Sequence, residues 1–543
     1  MKLCNSVLVL LLILLISLCD FDSSIAQVPQ IEWAHCLGGS LDDVGWIIQT
    51  TLDSGYIVAA QTNSSDGDIV GNHGSFDIWI LKFNSAGGLQ WTKCLGGSGI
   101  DGPSSIQCKQ DSGFFICGYT SSNNGDVSGN NGAGDIWVAD LDKQANIIWQ
   151  KCYGGANDDA LAYLKITKDG NLILATSTVH TDGVWSGLIL HGGYDIVLLK
   201  LDTLGNIIWK HNYGGSSDDG PVDILPTSDS AYIVFANTMS TDGDMNGIPP
   251  FTGANIWASK IDSSGNIIWR TPLLGGNIEF GYSVVQTNDK GFAFGATTDM
   301  DGNLAFGSHG LTDYWIIKLD SAGNFQWQKC LGGYSNDYLT SICATSDGGI
   351  AAIGYSTSDS GEVSGNHIDL SDGTPSIDYW VVKLDSAGTL LWQKCLGGSG
   401  SEYGKAITQG IDSNILVTGG ELTDSDGDVT CHTYSWNDLW VVKLGQLNVN
   451  SNDVQLPKNT SFFAYLTAND VLNTTTYVSK PCNAIINIYD LRGQILNSFN
   501  FHLNTGMNSN KFFTKPLMPG MYFIQLIDPN NTFAIKIISE LYK

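Results

Sequence analysis

The sequence predicts an all-β protein, a seven-bladed β-propeller followed by a small C-terminal β-domain. A unit of 57 to 65 residues is repeated seven times, and every copy carries a Trp at a fixed place. The composition includes 64 Gly and 16 Trp with only 15% charged residues. Many tight turns between aromatic-rich strands are typical of all-β proteins, and a fixed period of this kind indicates a repeat architecture.

Two sequence registers define the repeat. Gly-Gly pairs begin at Gly38, Gly96, Gly154, Gly214, Gly275, Gly332 and Gly397, and a Trp precedes each pair by five residues, or by six in the fifth copy. A second register reads D-x-W, as in Asp77 with Trp79, although Asn255 replaces the Asp in one copy and Val197 replaces the Trp in another. Because these Trp recur in nearly every copy, we interpret them as packing residues of the blades.

Each unit divides into four predicted strands. In the first unit they span residues 44–51, 56–62, 77–83 and 89–95, separated by turn-forming Gly, Asp and Ser. Four antiparallel strands repeated radially leave few exposed strand edges, which is the arrangement of a propeller.

The two ends of the repeat predict that the ring closes. The last unit stops at Gly445 without its Trp-bearing fourth strand, and that strand is found at the other end, over residues 31–36. We therefore expect the N-terminal strand to complete the seventh blade of a propeller that spans residues 27–445.

The N-terminal residues 1–26 have the pattern of a signal peptide: Lys2, an apolar stretch from Val7 to Cys19, and small residues before Gln27. We expect an exported protein with no transmembrane segment, either released or held at the outer-membrane surface. The formal charge of −28 argues against nucleic-acid binding, which needs clustered Lys and Arg. We expect a monomer.

Cysteines occur mostly at one repeat position, directly before Gly-Gly. Equivalent positions in neighbouring blades are normally too far apart for a disulfide. We therefore interpret this set as small buried hydrophobic residues: Cys36, Cys94, Cys152, Cys330 and Cys395. Cys108 and Cys117 flank a predicted hairpin and are the best candidates for a pair.

Two segments carry family resemblances. The repeats, such as residues 319–333 and 65–74, resemble those of secreted Bacteroidota propellers. The tail resembles the type A C-terminal sorting domain of the type IX secretion system, through residues 486–494, 517–524 and 533–539. That resemblance implies an Ig-like β-sandwich over residues 459–543, after a linker at 446–458, that is recognised by the secretion translocon. The matching signal residues include Gly493, Pro519, Gly520 and Tyr522.

A carboxylate follows most Gly-Gly pairs at a fixed distance. The set is Asp43, Asp101, Asp159, Asp219, Asp337 and Glu402, whereas the fifth copy has Phe280 there with Glu279 adjacent. A ring of carboxylates at the mouth of the channel could attract a cation or another ligand. The alternative is turn chemistry, because Asp after Gly-Gly-Ser commonly accepts hydrogen bonds from nearby backbone N–H groups.

The loops between second and third strands carry D-G-D sequences: Asp66 and Asp68, Asp242 and Asp244, and Asp426 and Asp428. Calcium prefers oxygen ligands of this kind, although no copy supplies a full calcium-loop motif, so turn chemistry is again the alternative. His73, His309 and His367 fall in related loops without a neighbouring zinc ligand, and we expect them to be exposed.

Two functions fit the sequence. Near-identical blades favour a non-enzymatic binding or adhesion protein that recognises a glycan or a protein. The alternative is a propeller enzyme that acts on polysaccharide, or a quinoprotein-like dehydrogenase. The sequence contains none of the short motifs of nucleophilic hydrolases, zinc proteases or phosphate-binding loops.

Overall fold

The computed structural model describes residues 28–159, 162–248, 254–276, 279–371, 373–422, 426–431 and 437–445, and seven strands between Phe462 and Ser539. The expected signal peptide and linker lie outside these residues. The chain divides into two compact units between Gln446 and Leu447.

The first unit consists of seven four-stranded antiparallel sheets, which confirms the predicted propeller. Strand β1 spans Gln30–Leu37 and belongs to the last blade. Blade 1 contains β2 (Asp43–Thr50), β3 (Tyr56–Thr62), β4 (Asp77–Phe83) and β5 (Leu89–Leu95). Blade 2 contains β6 (Asp101–Cys108), β7 (Phe114–Thr120), β8 (Asp135–Leu141) and β9 (Ile147–Tyr153). Blade 3 contains β10 (Tyr163–Ile166), β11 (Leu172–Thr178), β12 (Asp195–Leu201) and β13 (Ile207–Tyr213).

The remaining blades repeat this order. Blade 4 contains β14 (Asp219–Pro226), β15 (Tyr232–Thr238), β16 (Asn255–Ile261) and β17 (Ile267–Leu273). Blade 5 contains β18 (Glu279–Gln286), β19 (Phe292–Thr298), β20 (Asp313–Leu319) and β21 (Phe325–Leu331). Blade 6 contains β22 (Asp337–Ala344), β23 (Ile350–Ser356), β24 (Asp378–Leu384) and β25 (Leu390–Leu396). Blade 7 contains β26 (Ser401–Gln409), β27 (Ile415–Leu422), β28 (Asp438–Gly445) and, as its fourth strand, β1. Two short 3-10 turns lie in the loops, at Gly183–Trp185 and Gly243–Met245.

The ring closes as the two ends of the repeat predict. Strand β1 pairs antiparallel with β28, from Gln30 opposite Gly445 to Leu37 opposite Leu439. A disulfide between Cys36 and Cys431 reinforces this closure, with a Cα–Cα distance of 5.6 Å.

The cysteine interpretation was wrong in two respects. Cys36 is not a free packing residue, because its partner comes from the loop before β28 and not from another blade's equivalent position. Cys108 and Cys117 are both free. They cannot meet because Cys108 packs in the core between blades 1 and 2, while Cys117 packs between blades 2 and 3, on the opposite face of their sheet.

The hydrophobic core is divided into layers between neighbouring blades. In one such layer Ile57 and Ile80 of blade 1 pack with Ile116 and Trp137 of blade 2. The Trp of each D-x-W motif is fully buried in a layer of this kind: Trp79, Trp137, Trp257, Trp315, Trp380 and Trp440. These Trp are therefore packing residues.

One repeated glycine lies in the turn between the third and fourth strands, where the backbone conformation and a neighbouring Trp ring both require it. Gly87 has φ of +85°, in the left-handed region that favours glycine, and a Cβ there would lie 2.6 Å from the Trp33 ring. The fourth-strand Trp of one blade thus packs flat against a glycine turn of the next.

The second unit contains two antiparallel sheets, in the order β29-β30-β33 and β32-β31-β34-β35. Their strands are β29 (Phe462–Thr467), β30 (Val471–Val478), β31 (Cys482–Tyr489), β32 (Ile495–Leu503), β33 (Gly506–Phe513), β34 (Gly520–Ile527) and β35 (Thr532–Ser539). Along β31, Ala484, Ile486 and Ile488 are buried, whereas Ile485 is exposed. This alternation is typical of a strand with one face on a core. Throughout the chain, as far as the structure describes it, no helix has the length and hydrophobicity needed to cross a bilayer.

Candidate functional site

The predicted carboxylates are buried and lie at or next to the starts of the first strands, except that Asp159 precedes β10 by four residues. Asp43, Asp101, Asp159, Asp219, Asp337 and Glu402 are each at most 4% exposed. Asp43 Oδ2 accepts hydrogen bonds from the Gly39 N–H at 2.7 Å and from the Ser64 hydroxyl at 2.8 Å. The bond from the second glycine recurs in the other five copies. Each carboxylate thus stabilises the Gly-Gly turn of its own repeat by accepting a hydrogen bond from its backbone.

Blade 5 supplies Glu279 at this position, whereas the sequence pattern had placed Phe280 there. Glu279 pairs with Thr298 as Asp43 pairs with Thr62, and Glu279 is 2% exposed while Phe280 is 44% exposed. The Gly-Gly pair of this copy is displaced by one residue. The preceding Trp would have located Glu279, because this carboxylate follows the fourth-strand Trp by ten residues in every copy.

A second buried carboxylate faces the first across the blade junction. A Cβ on Gly96 would lie 2.7 Å from both Asp77 Oδ1 of blade 1 and Asp101 Oδ2 of blade 2. Similar pairs flank the corresponding glycine at five further junctions: Gly38, Gly154, Gly214, Gly332 and Gly397. Both carboxylates of such a pair are buried, as Asp77 and Asp101 are. Burial removes them from water and so opposes the ionisation of each acid.

The pKa values follow from this burial. Burial raises the pKa of Asp43 to about 6, against the hydrogen bonds that it accepts, and the Asp438 carboxylate adds to the rise. The same causes raise the pKa of Asp337 to about 6, with Asp313 as the neighbouring acid. Burial raises the pKa of Glu402 to about 9, with a further contribution from Asp378. Glu402 consequently carries a proton at neutral pH.

Histidines in the loops contact these acids and reach the next blade. His73 Nδ1 lies 2.7 Å from Asp77 Oδ2, and its Nε2 lies 3.9 Å from Asp126 Oδ2 of blade 2. His309 lies 3.5 Å from both Asp313 and Glu362, and His367 lies 2.6 Å from Asp378. His73 is exposed, as the sequence predicts, whereas His309 and His367 are partly buried, and the contacts with the acids were not predicted. The available signal for His73 and His309 was the four-residue spacing from His to Asp, which recurs at His191 and Asp195, whereas His367 and Asp378 are 11 residues apart.

The D-G-D loops also contact the Gly-Gly turns. Asp66 Oδ1 accepts from the Ser40 N–H at 2.7 Å, and Asp68 Oδ2 accepts from the Gly38 N–H at 3.2 Å. Asp242 and Asp244 make the matching bonds in blade 4, and Asp426 does so in blade 7. Burial raises the pKa of Asp428. Among the described residues no group of three His, Cys, Asp or Glu side chains is arranged to hold a metal ion. Calcium binding by these loops stays a prediction.

The first strands of neighbouring blades contact one another around the ring and thereby line the central channel. In six of them a β-bulge leaves one residue out of the pairing with the second strand. A bulge redirects a side chain, and bulges are common next to functional sites. The bulged residues are Trp46, Ser104, Val222, Tyr282, Thr340 and Lys405. All six differ, although the carboxylates that begin the same strands hardly vary.

The channel lining is asymmetric. Blades 5, 6, 7 and 1 contribute a set of side chains that we call the aromatic arc: Tyr282, Tyr338, Tyr355, Tyr403, Trp46 and Lys405. The ring centroid of Tyr355 lies 5.3 Å from that of Tyr338 and 5.1 Å from that of Tyr403. Lys405 Nζ lies 4.9 Å from the centre of the Trp46 ring. On the opposite side, the bulged positions of blades 2 and 4 carry the smaller Ser104 and Val222. Tyr119, the blade 2 equivalent of Tyr355, pairs with Gly102 where Tyr355 pairs with Tyr338.

The aromatic arc contains no acidic side chain and one lysine, although the chain as a whole has a formal charge of −28. Burial raises the pKa of Tyr355 to about 12, with contributions from Tyr282, Tyr338 and Tyr403. The Tyr355 hydroxyl therefore remains protonated and able to donate a hydrogen bond. Burial lowers the pKa of Lys405. The arc thus combines aromatic faces, phenol hydroxyls and one ammonium group.

The fold and these sites define a seven-bladed propeller that carries a separate β-domain at its C-terminus. Residues 468–540 match the secretion system C-terminal sorting domain family. The protein is accordingly a secreted or cell-surface protein with a type IX sorting domain, as the tail resemblance implied. Gly520 and Tyr522 lie in β34 within the matched range, whereas Gly493 and Pro519 lie outside the described residues.

Similarity to individual proteins is low. The chain is 29% identical over 147 residues to the regulatory protein FlaEY of Caulobacter vibrioides, a match that covers 27% of this chain and only 15% of FlaEY. The WD40 domain of Neurospora crassa Pan2 has a TM-score of 0.41 and 8% identity, with 76% of this chain and 97% of that domain covered. The BBS1N structure in complex with ARL6DN has a TM-score of 0.39 and 10% identity, with coverage of 78% and 99%.

Proposed function

We propose that the protein is a non-catalytic binding protein, exported through its sorting domain, that holds a ligand at the mouth of its central channel. The observation that carries this proposal is the ring of bulged residues. Six first strands share a backbone plan and a buried carboxylate, yet each presents a different side chain at the bulge. Departures from an otherwise consistent pattern are expected at functional sites.

The chemistry of the channel supports binding. Tyr and Trp offer large rigid surfaces together with hydrogen-bonding groups, and they are common among residues that anchor a ligand. The repeated acids at the first strands, in contrast, each use at least one carboxylate oxygen in a hydrogen bond that stabilises a turn. The aromatic arc contains partly exposed side chains that take no part in these turns.

Binding of the full exported chain to arrays of glycans and matrix proteins tests the proposal. Tyr355→Ala should lower binding of any ligand found, because it removes the centre of the aromatic arc. Tyr119→Ala is the matched control, since Tyr119 occupies the equivalent position of the second strand in blade 2. A flat array, or equal losses in both variants, would contradict the proposal. Release of reducing ends from a bound polysaccharide would instead support the enzyme alternative.

A further inference from the structure

Lys405, which is partly buried, differs from the buried lysines of the propeller. Six lysines of the third strands each contact an Asp near the turn between the first and second strands: Lys82, Lys200, Lys260, Lys318, Lys383 and Lys443. Lys405 lies instead on a first strand, and within the described part of the chain no Asp or Glu lies within salt-bridge distance of its Nζ. Its Nζ lies over the Trp46 ring, 4.9 Å from the ring centre.

This position favours an anionic group on a ligand. An ammonium that has lost part of its hydration and lacks a carboxylate partner gains more from an incoming anion than an exposed lysine does. Repulsion from a surface of net charge −28 would oppose a highly charged polyanion. One ammonium beside several uncharged aromatic residues suits a ligand with one acidic group rather than a nucleic acid, which needs many cationic contacts.

The rest of the aromatic arc favours a sugar ring. Tyr338, Tyr355 and Tyr403 form a continuous series with centroid spacings of 5.3 and 5.1 Å. Aromatic faces pack against the C–H face of a pyranose, while phenol hydroxyls can hydrogen-bond its hydroxyl groups. We propose, resting on the binding function above, that the aromatic arc binds an acidic saccharide and that Lys405 receives its carboxylate or sulfate group.

Calorimetric titration of the full exported chain tests this inference. The probes are a galactose trisaccharide with one residue replaced by galacturonic acid, a galactose trisaccharide with one sulfate group, and the neutral galactose trisaccharide as reference. At least one acidic probe should bind about tenfold or more tightly than the neutral one, and added salt should reduce that difference. A glutamate decapeptide tests the competing class of ligand.

Two variants assign the effect to Lys405. Lys405→Met should abolish the preference for the acidic probe, whereas Lys405→Arg should keep the preference. Lys93→Met is the matched control, because it removes one ammonium from a fourth strand, away from the first strands that line the channel. Melting curves of each variant exclude a folding defect.

The outcomes separate the inference from the binding function. Equal affinity for acidic and neutral saccharides, or a preference that survives in Lys405→Met, would overturn the inference and leave the binding function intact. Binding of the decapeptide without any saccharide would also overturn it. Absence of binding to every array and probe would count against both.

Discussion

Trp185 and Val197 have exchanged roles in the third blade. In the other blades the third strand supplies a Trp to the core and the preceding loop supplies a smaller residue, such as Val127 beside Trp137. In blade 3 the strand supplies Val197 and the loop supplies Trp185, and both lie in one core layer. Trp185 is fully buried and donates from Nε1 to Asp159 Oδ1 at 2.6 Å. This Trp therefore maintains the packing volume of the core layer.

The exchange predicts strong coupling between the two positions. Trp185→Val should lower the free energy of unfolding by about 3–5 kcal/mol, because it leaves a cavity and removes a hydrogen bond. Val197→Trp should cost about 1–3 kcal/mol through overpacking. The double variant restores the arrangement of the other blades and should be more stable than the sum of the single effects indicates. Urea unfolding measures all three, and additive losses would contradict the explanation.

The disulfide between Cys36 and Cys431 should stabilise the closed ring. It joins residues 395 apart in sequence, so it restricts the unfolded chain over a long loop. Cys431→Ser should lower stability by about 2–5 kcal/mol and the melting temperature with it. A reductant should lower the melting temperature of the natural chain in the same way. The double variant Cys36→Ser with Cys431→Ser is the control, and a further effect of reductant on it would place the effect elsewhere.

The repeat made most of the propeller predictable. The strands of blade 1 were predicted to within one residue, and the position of Trp33 predicted that β1 completes blade 7. Both inferences follow from local periodicity and from comparison of one copy with the next. The turn role considered for Asp43 likewise rests on groups that are close in sequence, and Asp43 makes such contacts with Gly39.

Contacts between blades were much harder to predict. Cys36 meets Cys431 only because the ring brings the two ends of the chain together. The link from His73 to Asp126 likewise crosses a blade junction. The aromatic arc was missed because its members belong to four blades and no two share a motif. Alignment of the copies by structure reveals that they occupy related positions on the first strands, with Tyr355 beside them on the second strand of blade 6.

The buried carboxyls predict that stability falls as pH rises. Their raised pKa values mean that the folded chain keeps protons which the unfolded chain loses above about pH 4. Their stabilising contribution is complete below that pH and is lost progressively as pH passes through 6 for Asp43 and Asp337 and through 9 for Glu402. His367, whose pKa is raised by its hydrogen bond to Asp378, changes stability in the same direction. The melting temperature should therefore decrease between pH 5 and pH 9.

Glu402→Gln isolates one of these groups. The amide imitates the protonated acid, so the variant should match the natural chain near pH 4 and exceed it in melting temperature by a margin that grows from pH 5 to pH 9. Asp158→Asn, at an exposed position next to the buried Asp159, serves as the control and should leave the pH profile unchanged. Parallel profiles for Glu402→Gln and the natural chain would disprove the assigned protonation.

Blade 2 reverses an ion pair that the other blades share, and this predicts a compensating double substitution. Blade 1 pairs a buried Lys82 with Asp53 at 2.9 Å, whereas blade 2 has Asp140 at the position of Lys82 and pairs it with Lys109 at 2.5 Å. Lys109 in turn stands where blade 1 has Thr51.

Asp140→Lys alone would place two cations together and should lower the free energy of unfolding by about 3–5 kcal/mol. Adding Lys109→Thr recreates the arrangement of blade 1, with Asp111 left as the partner, and should recover most of that loss. Urea unfolding of both variants checks the prediction. A double variant no more stable than Asp140→Lys would show that the reversed pair depends on surroundings that the other blades lack.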